Sequence, residues 1–306
     1  MTHNNLEEDP MQFKQLGLVG YGEVGKIFSA GLKPQFDTVS AWDLKLAQGH
    51  PLQVAELTHA SLAGVQACSS LQALCAQADC IISAVTASNT LAVALETAQH
   101  LRPGTLFLDL NSASPGTKQQ AAAAINNAGG HYVEAGVMTS VPPYGIRVPM
   151  LLGGAQAQAL AARLCAFGMD AKAVAVEIGV ASAIKMCRSV MIKGLEALVI
   201  ESYSTARHYG VEGHMIPTLA ETFPSIDWEQ TGAYFFSRVA LHGKRRAEEM
   251  REAANTVREA GFEPFMAAAI AEKHDWISRQ SHAGIFADLP KSALWQDYAD
   301  RLLKAR

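Results

Sequence analysis

Charge of one sign is missing from this chain of 306 residues: 25 basic and 29 acidic side chains leave a net charge of −4, and charged residues make up only 18% of the whole. Proteins that neutralise a phosphate backbone need a marked basic excess, so nucleic acid is excluded as a partner. Cysteine is scarce as well. Cys68, Cys75, Cys80, Cys165 and Cys187 contain no CxxC pair and are odd in number, which argues against a disulfide framework and for reduced, mostly buried thiols in a cytoplasmic setting. No metal site is expected, because the cysteines lack ligand spacing and His208 and His214 stand six apart with no HxxxH pair nearby. A secretion signal is not expected either: residues 1–11 contain Glu7, Glu8 and Asp9 without an apolar run, and read as a polar tail. The longest uncharged stretches, 57–78 and 80–95, are broken by Gln, Ser, Thr and Asn, so neither suits a bilayer. What the chain does have is apolar residues, 49% of the total, enough for a proper core in about two domains.

Those apolar residues are arranged differently in the two halves. From Phe13 to about Val176, short apolar runs (Gln15–Val19, Thr38–Trp42, Cys80–Val85, Thr105–Asp109, His131–Ala135 and Met150–Leu152) alternate with Ala/Gln-rich helical stretches. Short strands alternating with helices feed a parallel sheet covered on both faces. After Glu177 strand signals stop, and 181–209 and 228–260 show helical spacing. The expectation is an α/β domain over 1–177 and an all-α domain over 178–306. Trp228, Tyr234, Phe235 and Phe236 read as packing aromatics of the helical part.

The first βα junction reads Gly20-Tyr21-Gly22-Glu23-Val24-Gly25, a GxGxxG directly after an apolar strand and at the start of a helix. Each glycine has a physical task there. Gly20 allows the tight turn, Gly22 lets backbone approach a pyrophosphate, and Gly25 lets helix pack on sheet, while the helix N-terminus offers amides and a positive dipole. Asp43 ends the next strand, 18 residues beyond Gly25, where an acid accepts ribose hydroxyls and repels a 2′-phosphate. NAD is therefore preferred over NADP, with Lys45 close enough to tolerate a phosphate. Val85 and Thr86, at the end of the Cys80–Val85 run, and Asn111, after the Thr105–Asp109 run, complete the cofactor residues.

A second constellation lies on the long helix at the boundary, where Lys185, Arg188, Ser189, Ile192 and Glu196 share a face. Oxidising an alcohol by hydride transfer needs a base for the hydroxyl proton, and a partly desolvated lysine beside another cation is suited to it. Lys185 is the candidate. Lys193 falls about 80° off that face and is expected to snorkel to solvent.

With these residues on the page, the chain resembles the beta-hydroxyacid dehydrogenase and phosphogluconate dehydrogenase superfamily, in a branch of phosphogluconate dehydrogenase-like NAD-binding proteins with their own C-terminal helical domain. The resemblance rests on the Gly20–Gly25 turn, Leu108-Asp109-Leu110-Asn111-Ser112-Ala113-Ser114-Pro115, Glu134-Ala135-Gly136-Val137-Met138, Pro149–Gly154, Gly179–Ser189 and His242–Met250. It implies an α/β Rossmann-like N-terminal domain joined to the all-α domain by a long inter-domain helix, a cleft between domains, a homodimer formed through the helical part, and Lys185 in the family's catalytic lysine position. The family's asparagine four residues after that lysine is replaced here by Ser189, and its serine followed by two glycines by Met138-Thr139-Ser140. Substrate identity therefore does not carry over.

Substrate anchors are expected from Ser112, from the stiff loop Thr139-Ser140-Val141-Pro142-Pro143-Tyr144-Gly145-Ile146-Arg147, whose Arg147 offers a fork for a carboxylate, and from Arg188 and Ser189. The run Lys244-Arg245-Arg246 reads as a solvated helix face balanced by Glu248, Glu249 and Glu252, although by position His242 or Arg245 matches the place of a cleft-facing lysine in the resembled family. The reading is an NAD(P)-dependent dehydrogenase that passes hydride between nicotinamide and a small hydroxy acid, with no membrane partner. Two alternatives stay open: oxidative decarboxylation of a sugar acid, with Glu196 as the further acid, and a nucleotide-binding protein without catalysis.

Overall fold

The computed structural model describes residues 13–305, so the polar tail expected over 1–11 lies outside the described residues. The chain forms two compact units that divide after Lys185. In the first, strands and helices alternate: β1 (Gln15–Val19), α1 (Glu23–Leu32), β2 (Thr38–Trp42), α2 (Gln53–Ala63), β3 (Gln66–Ala67), α3 (Leu71–Cys75), β4 (Cys80–Ser83), α4 (Thr90–Ala98), β5 (Leu106–Asp109), α5 (Pro115–Asn127), β6 (His131–Val137), β7 (Met150–Gly153), α6 (Ala157–Ala166) and β8 (Ala171–Ala175). The strands make one sheet in the order β3-β2-β1-β4-β5-β6-β7-β8. Every strand from β3 to β6 is parallel to its neighbour, as crossovers through helices require. Central strands are buried on both faces, and β4 and β5 have no exposed residue.

Three features depart from the sequence expectation. β7 runs antiparallel to β6, because the 138–149 loop turns straight back without a crossover helix. Two strands went unread: β3 is two residues long, and β8 (Ala171–Ala175) is Ala-rich and partly exposed, without an apolar run to signal it. The unit boundary also falls several residues later than 177/178, because the start of the next helix is bonded to the sheet through Glu134, as described below.

α7 (Val180–Tyr209) leads into the second unit, which continues with α8 (Glu212–Thr222), α9 (Trp228–Glu259), α10 (Phe265–His282) and α11 (Trp295–Lys304). Its core is built on Tyr203, Trp228, Phe236, Trp295 and Tyr298, with Tyr203 edge-on to Trp295, and a second cluster on Met186, Met250 and Ile270. Tyr234, expected in this core, is exposed. α9 is kinked at His242 (φ −125°, ψ 15°). There Gly243 lies against the His274 backbone of α10, and Ser281 donates to the Ala240 carbonyl, bonding a backbone acceptor next to the break.

Candidate active site

The sheet register sets the site. Trp42, Val19, Ser83, Asp109 and Glu134 lie side by side across β2, β1, β4, β5 and β6, so the segments just beyond this row share the carboxyl edge of the sheet. Strand order reverses there between β1 and β4, which is where open α/β sheets bind ligands. Gly20 has φ +95°, and a Cβ on it would strike the Ala84 carbonyl; a Cβ on Gly25 would strike the Gly20 carbonyl. Both glycines are thus required by backbone approach. Gly22 is different: nothing lies within 4 Å of where its Cβ would be, and no side chain caps α1. The turn presents open backbone and uncapped amides, the donor set that an anionic pyrophosphate fits.

Asp43 is tied to that turn. Its carboxylate accepts from the Tyr21 amide at 2.7 Å and the Lys45 amide at 2.9 Å, one bond per oxygen, leaving lone pairs for ribose hydroxyls. The Tyr21 ring is buried, and its hydroxyl meets Nδ1 of His59 on α2 at 3.1 Å. Tyr21 therefore belongs to the turn as a backbone donor and an anchor, while Glu23 is exposed.

Asn111 and Ser112, adjacent in sequence, have different roles. The Asn111 side chain is buried, accepting from the Val85 amide at 2.7 Å and donating to Ser83 at 2.9 Å, so it clamps the loops after β4 and β5 together. One acceptor site and one donor of its amide are thus used within the protein. Thr86 is exposed and accepts from the Asn89 side chain at 2.8 Å in a local turn. Ser112 accepts a hydrogen bond from Lys185 Nζ at 2.5 Å.

Two buried carboxylates bond the segments that lead into that pair, Asp109 the one before Ser112 and Glu134 the one before Lys185. Asp109 is an ion-pair partner of Lys118 (3.0 Å), a lysine only 1% exposed, and also accepts from the Tyr132 hydroxyl (2.7 Å) and the Asn111 amide (2.9 Å). Burial, then the Asp109 charge, pushes the Tyr132 hydroxyl well above its ordinary pKa, which keeps it a donor. Glu134, fully buried on β6, accepts from the amides of Gly179 (2.7 Å), Ala181 (3.1 Å) and Ser182 (3.3 Å), so a carboxylate caps the positive end of α7 just before Lys185. Gly136, two residues along β6, lets the helix close in: a Cβ there would come 2.9 Å from the Ala181 carbonyl oxygen and 3.5 Å from Lys185 Cβ.

Sequence reasoning missed Glu134, Asp109, Lys118 and Tyr132. The available signal was a carboxylate in the middle of an otherwise apolar strand, His131–Val137.

The other candidates differ in exposure and partners. Arg147 is exposed, and its neighbour Ile146 packs on Gly31, about 12 Å along α1 from Glu23 at 1.5 Å per residue. Thr139 is exposed and Ser140 half-buried. In the second unit the α7 stripe splits: Arg188 and Ile192 are exposed, whereas Ser189 and Glu196 are buried. Glu196 pairs with Arg246 and Arg238, and burial raises its pKa in spite of the Arg246 charge. Enclosed by its own partners, it is not presented as an acid for an enediol. Arg246 is buried, not solvated as expected, because Glu196 neutralises it; Arg245 is half-exposed and reaches Glu249 at 3.5 Å, and His242 is half-buried at the kink. Lys193 does not snorkel: it is buried and pairs with Glu249 at 2.7 Å. Cys68, Cys75 and Cys80 are buried, in keeping with the expectation of mostly buried thiols, while Cys165 and Cys187 are exposed. Among the described residues no group of three or more His, Cys, Asp or Glu is placed to hold a metal, and no helix is long and apolar enough to cross a membrane.

Residues 15–176, more than half the chain, match the model of the NAD binding domain of 6-phosphogluconate dehydrogenase. The chain belongs to that family. Residues 206–277 match a domain of unknown function, DUF1932. A conserved hypothetical protein of Sinorhizobium meliloti 1021 is 36% identical, covers 99% of each chain and superimposes with a TM-score of 0.75. An uncharacterized 28.5 kDa protein from Methanothermus fervidus is 25% identical over 82% of this chain and 94% of its own length. The fold is shared with the 3-hydroxyisobutyrate dehydrogenase of Mycobacterium tuberculosis, at 17% identity, 96% and 99% coverage and a TM-score of 0.67. The first unit is thus a family NAD(P)-binding domain, followed by a helical unit, on a hydroxyacid-dehydrogenase-like fold.

Proposed function

We propose that this protein is an NAD-dependent dehydrogenase of small hydroxy acids, with Lys185 as the acid/base. The observation that carries this reading is the Lys185–Ser112 hydrogen bond, 2.5 Å long, on the same carboxyl edge of the sheet as the Gly20–Gly25 turn. The turn would hold the pyrophosphate, and Asp43 would take the ribose hydroxyls and disfavour a 2′-phosphate. Bound NAD⁺ supplies the hydride acceptor. Lys185 takes the substrate's hydroxyl proton on its Nζ during oxidation and returns it in reduction, while Ser112 keeps the amine in line. Positioning of the lysine by Glu134 and Gly136 supports this role, since a proton-transfer group must be held close to its target geometry.

The test is a panel of hydroxy acids and sugar acids with NAD⁺ and NADP⁺, read by absorbance of the reduced cofactor. Lys185→Ala is expected to bind NAD⁺ as wild type does and to lose about 10²–10⁴ in kcat. Turnover close to wild type in that variant would remove Lys185 from the mechanism. The homodimer is part of the same proposal. Met191, Leu195, Leu198 and Tyr209 are exposed on α7 at helical spacing, an apolar stripe suited to a second copy. A monomer mass in sedimentation at micromolar concentration would count against it.

A further inference from the structure

Lysine is rarely buried, and the first turn of a helix is an unfavourable place for a cation, because the dipole there favours anions. Lys118 meets both conditions: it is 1% exposed and is the fourth residue of α5. Stability alone is a poor reason for its buried pair with Asp109, since apolar side chains of similar volume often serve such a position as well or better. What the pair does locally is specific. Lys118 Nζ donates to two atoms of one residue, the Asp109 carboxylate (Oδ1, 3.0 Å) and the Asp109 main-chain carbonyl (3.1 Å), so α5 grips the end of β5 by side chain and backbone together. The same Oδ1 accepts from the Asn111 amide at 2.9 Å, an Asx turn that sets the backbone of the residues that follow, and Oδ2 accepts from the Tyr132 hydroxyl at 2.7 Å.

Ser112 is what this turn carries. From 109 to 114 every residue is buried except Ser112, which is half-buried and accepts from Lys185 Nζ. We propose that Lys118 is a positioning residue, which by holding Asp109 fixes the turn that presents the Ser112 oxygen to Lys185. This deepens the dehydrogenase reading and rests on it. A buried network with its members satisfied suits the task, because directional bonds hold one arrangement where apolar contacts let a loop slide. Without Lys118 the turn is no longer tied to α5, and the serine oxygen drifts from the amine.

The experiment reads Lys185 in the full-length protein, by mass spectrometry after brief treatment with acetic anhydride, so that no turnover is needed. Lys118→Met by itself would leave the Asp109 charge buried and unpaired, so the test variant is Asp109→Asn/Lys118→Met. It removes both charges, yet the new amide can still accept from the Asn111 N–H and meet the Tyr132 hydroxyl. Acetylation of Lys185 is expected to rise about fivefold or more, the effect of losing one hydrogen bond, and to rise as much in Ser112→Ala. Adding Ser112→Ala to the pair should change the rate by less than about twofold, because both act through the same bond. Asp109→Asn alone, which leaves Lys118 both of its acceptors, should stay within about twofold of wild type. Lys193, buried in the other unit, should keep its rate throughout. A wild-type Lys185 rate in the paired variant or in Ser112→Ala, a full further rise when the two are combined, Asp109→Asn alone as fast as the pair, or Lys193 rising with Lys185 as in general loosening each overturns the inference. On the dehydrogenase reading, kcat of the paired variant falls while KM for NAD⁺ is kept. The expected acetylation pattern with no NAD⁺ reduction by any hydroxy acid refutes that reading and upholds the Lys118 assignment.

Discussion

Glu134→Gln is the substitution that most directly tests how the α7 lysine is held. The glutamate is fully buried, with Oε1 accepting from Gly179 and Ala181 and Oε2 from Ser182. Glutamine keeps the shape and can keep Oε1, but its amide nitrogen then faces the Ser182 N–H, donor against donor. Removing the charge from the helix N-terminus costs about 1–2 kcal/mol in a buried setting. Leaving the Ser182 amide unsatisfied costs a further ~1–3 kcal/mol. The sum, about 2–5 kcal/mol, falls on the junction between β6 and α7 and not on the whole chain, so amide hydrogen exchange is the appropriate assay. Protection of amides in the first two turns of α7 should fall by at least ~30-fold, at one decade per ~1.4 kcal/mol, while β1 amides keep theirs. On the proposed function, kcat should fall with it because Lys185 loses its fixed approach to Ser112. Protection in those turns within about threefold of wild type would show that Glu134 does not anchor the helix, and the account of how Lys185 is placed would fail.

Two further outcomes follow from other parts of the chain. Gly22→Ala should leave the melting temperature almost unchanged, because its Cβ meets open space, yet weaken NAD⁺ binding, by fluorescence titration, about 10-fold or more; Gly25→Ala should lower the melting temperature through collision with the Gly20 carbonyl. Equal melting losses in both variants would contradict this reading of the turn. His274 is fully buried, and burial, then the Arg246 and Lys193 charges, holds its pKa down at about 3 from an ordinary 6.5. The unfolded chain therefore binds the extra proton between those values: the stability linked to His274 is complete above pH 6.5 and is lost as the pH falls toward 3. Between pH 6.5 and 5 the loss is about 2 kcal/mol, and in denaturant titrations of the second unit His274→Gln should flatten that slope. Glu196, whose pKa is raised, contributes with opposite sign in both proteins. A wild-type slope equal to that of the variant would refute the assignment.

The amino-acid sequence by itself determined the alternation of elements and the first turn. Apolar runs such as Gln15–Val19 and Thr38–Trp42 end where their strands end, because a strand buried on both faces must be apolar throughout. The GxGxxG was legible because backbone geometry admits only glycine at Gly20 and Gly25. Lys185 stood out as a charge on a largely apolar helix. Tertiary structure alone decided what each polar side chain meets. Asn111 and Ser112 look alike in sequence, yet one clamps two loops and the other touches the lysine. Lys193 and Arg246 read as surface charges until Glu249 and Glu196, 56 and 50 residues away along the chain, are folded against them. Local periodicity carries burial, because burial depends on the face of one element. Pairing of buried charges depends on which elements become neighbours, and that information is spread over the whole chain.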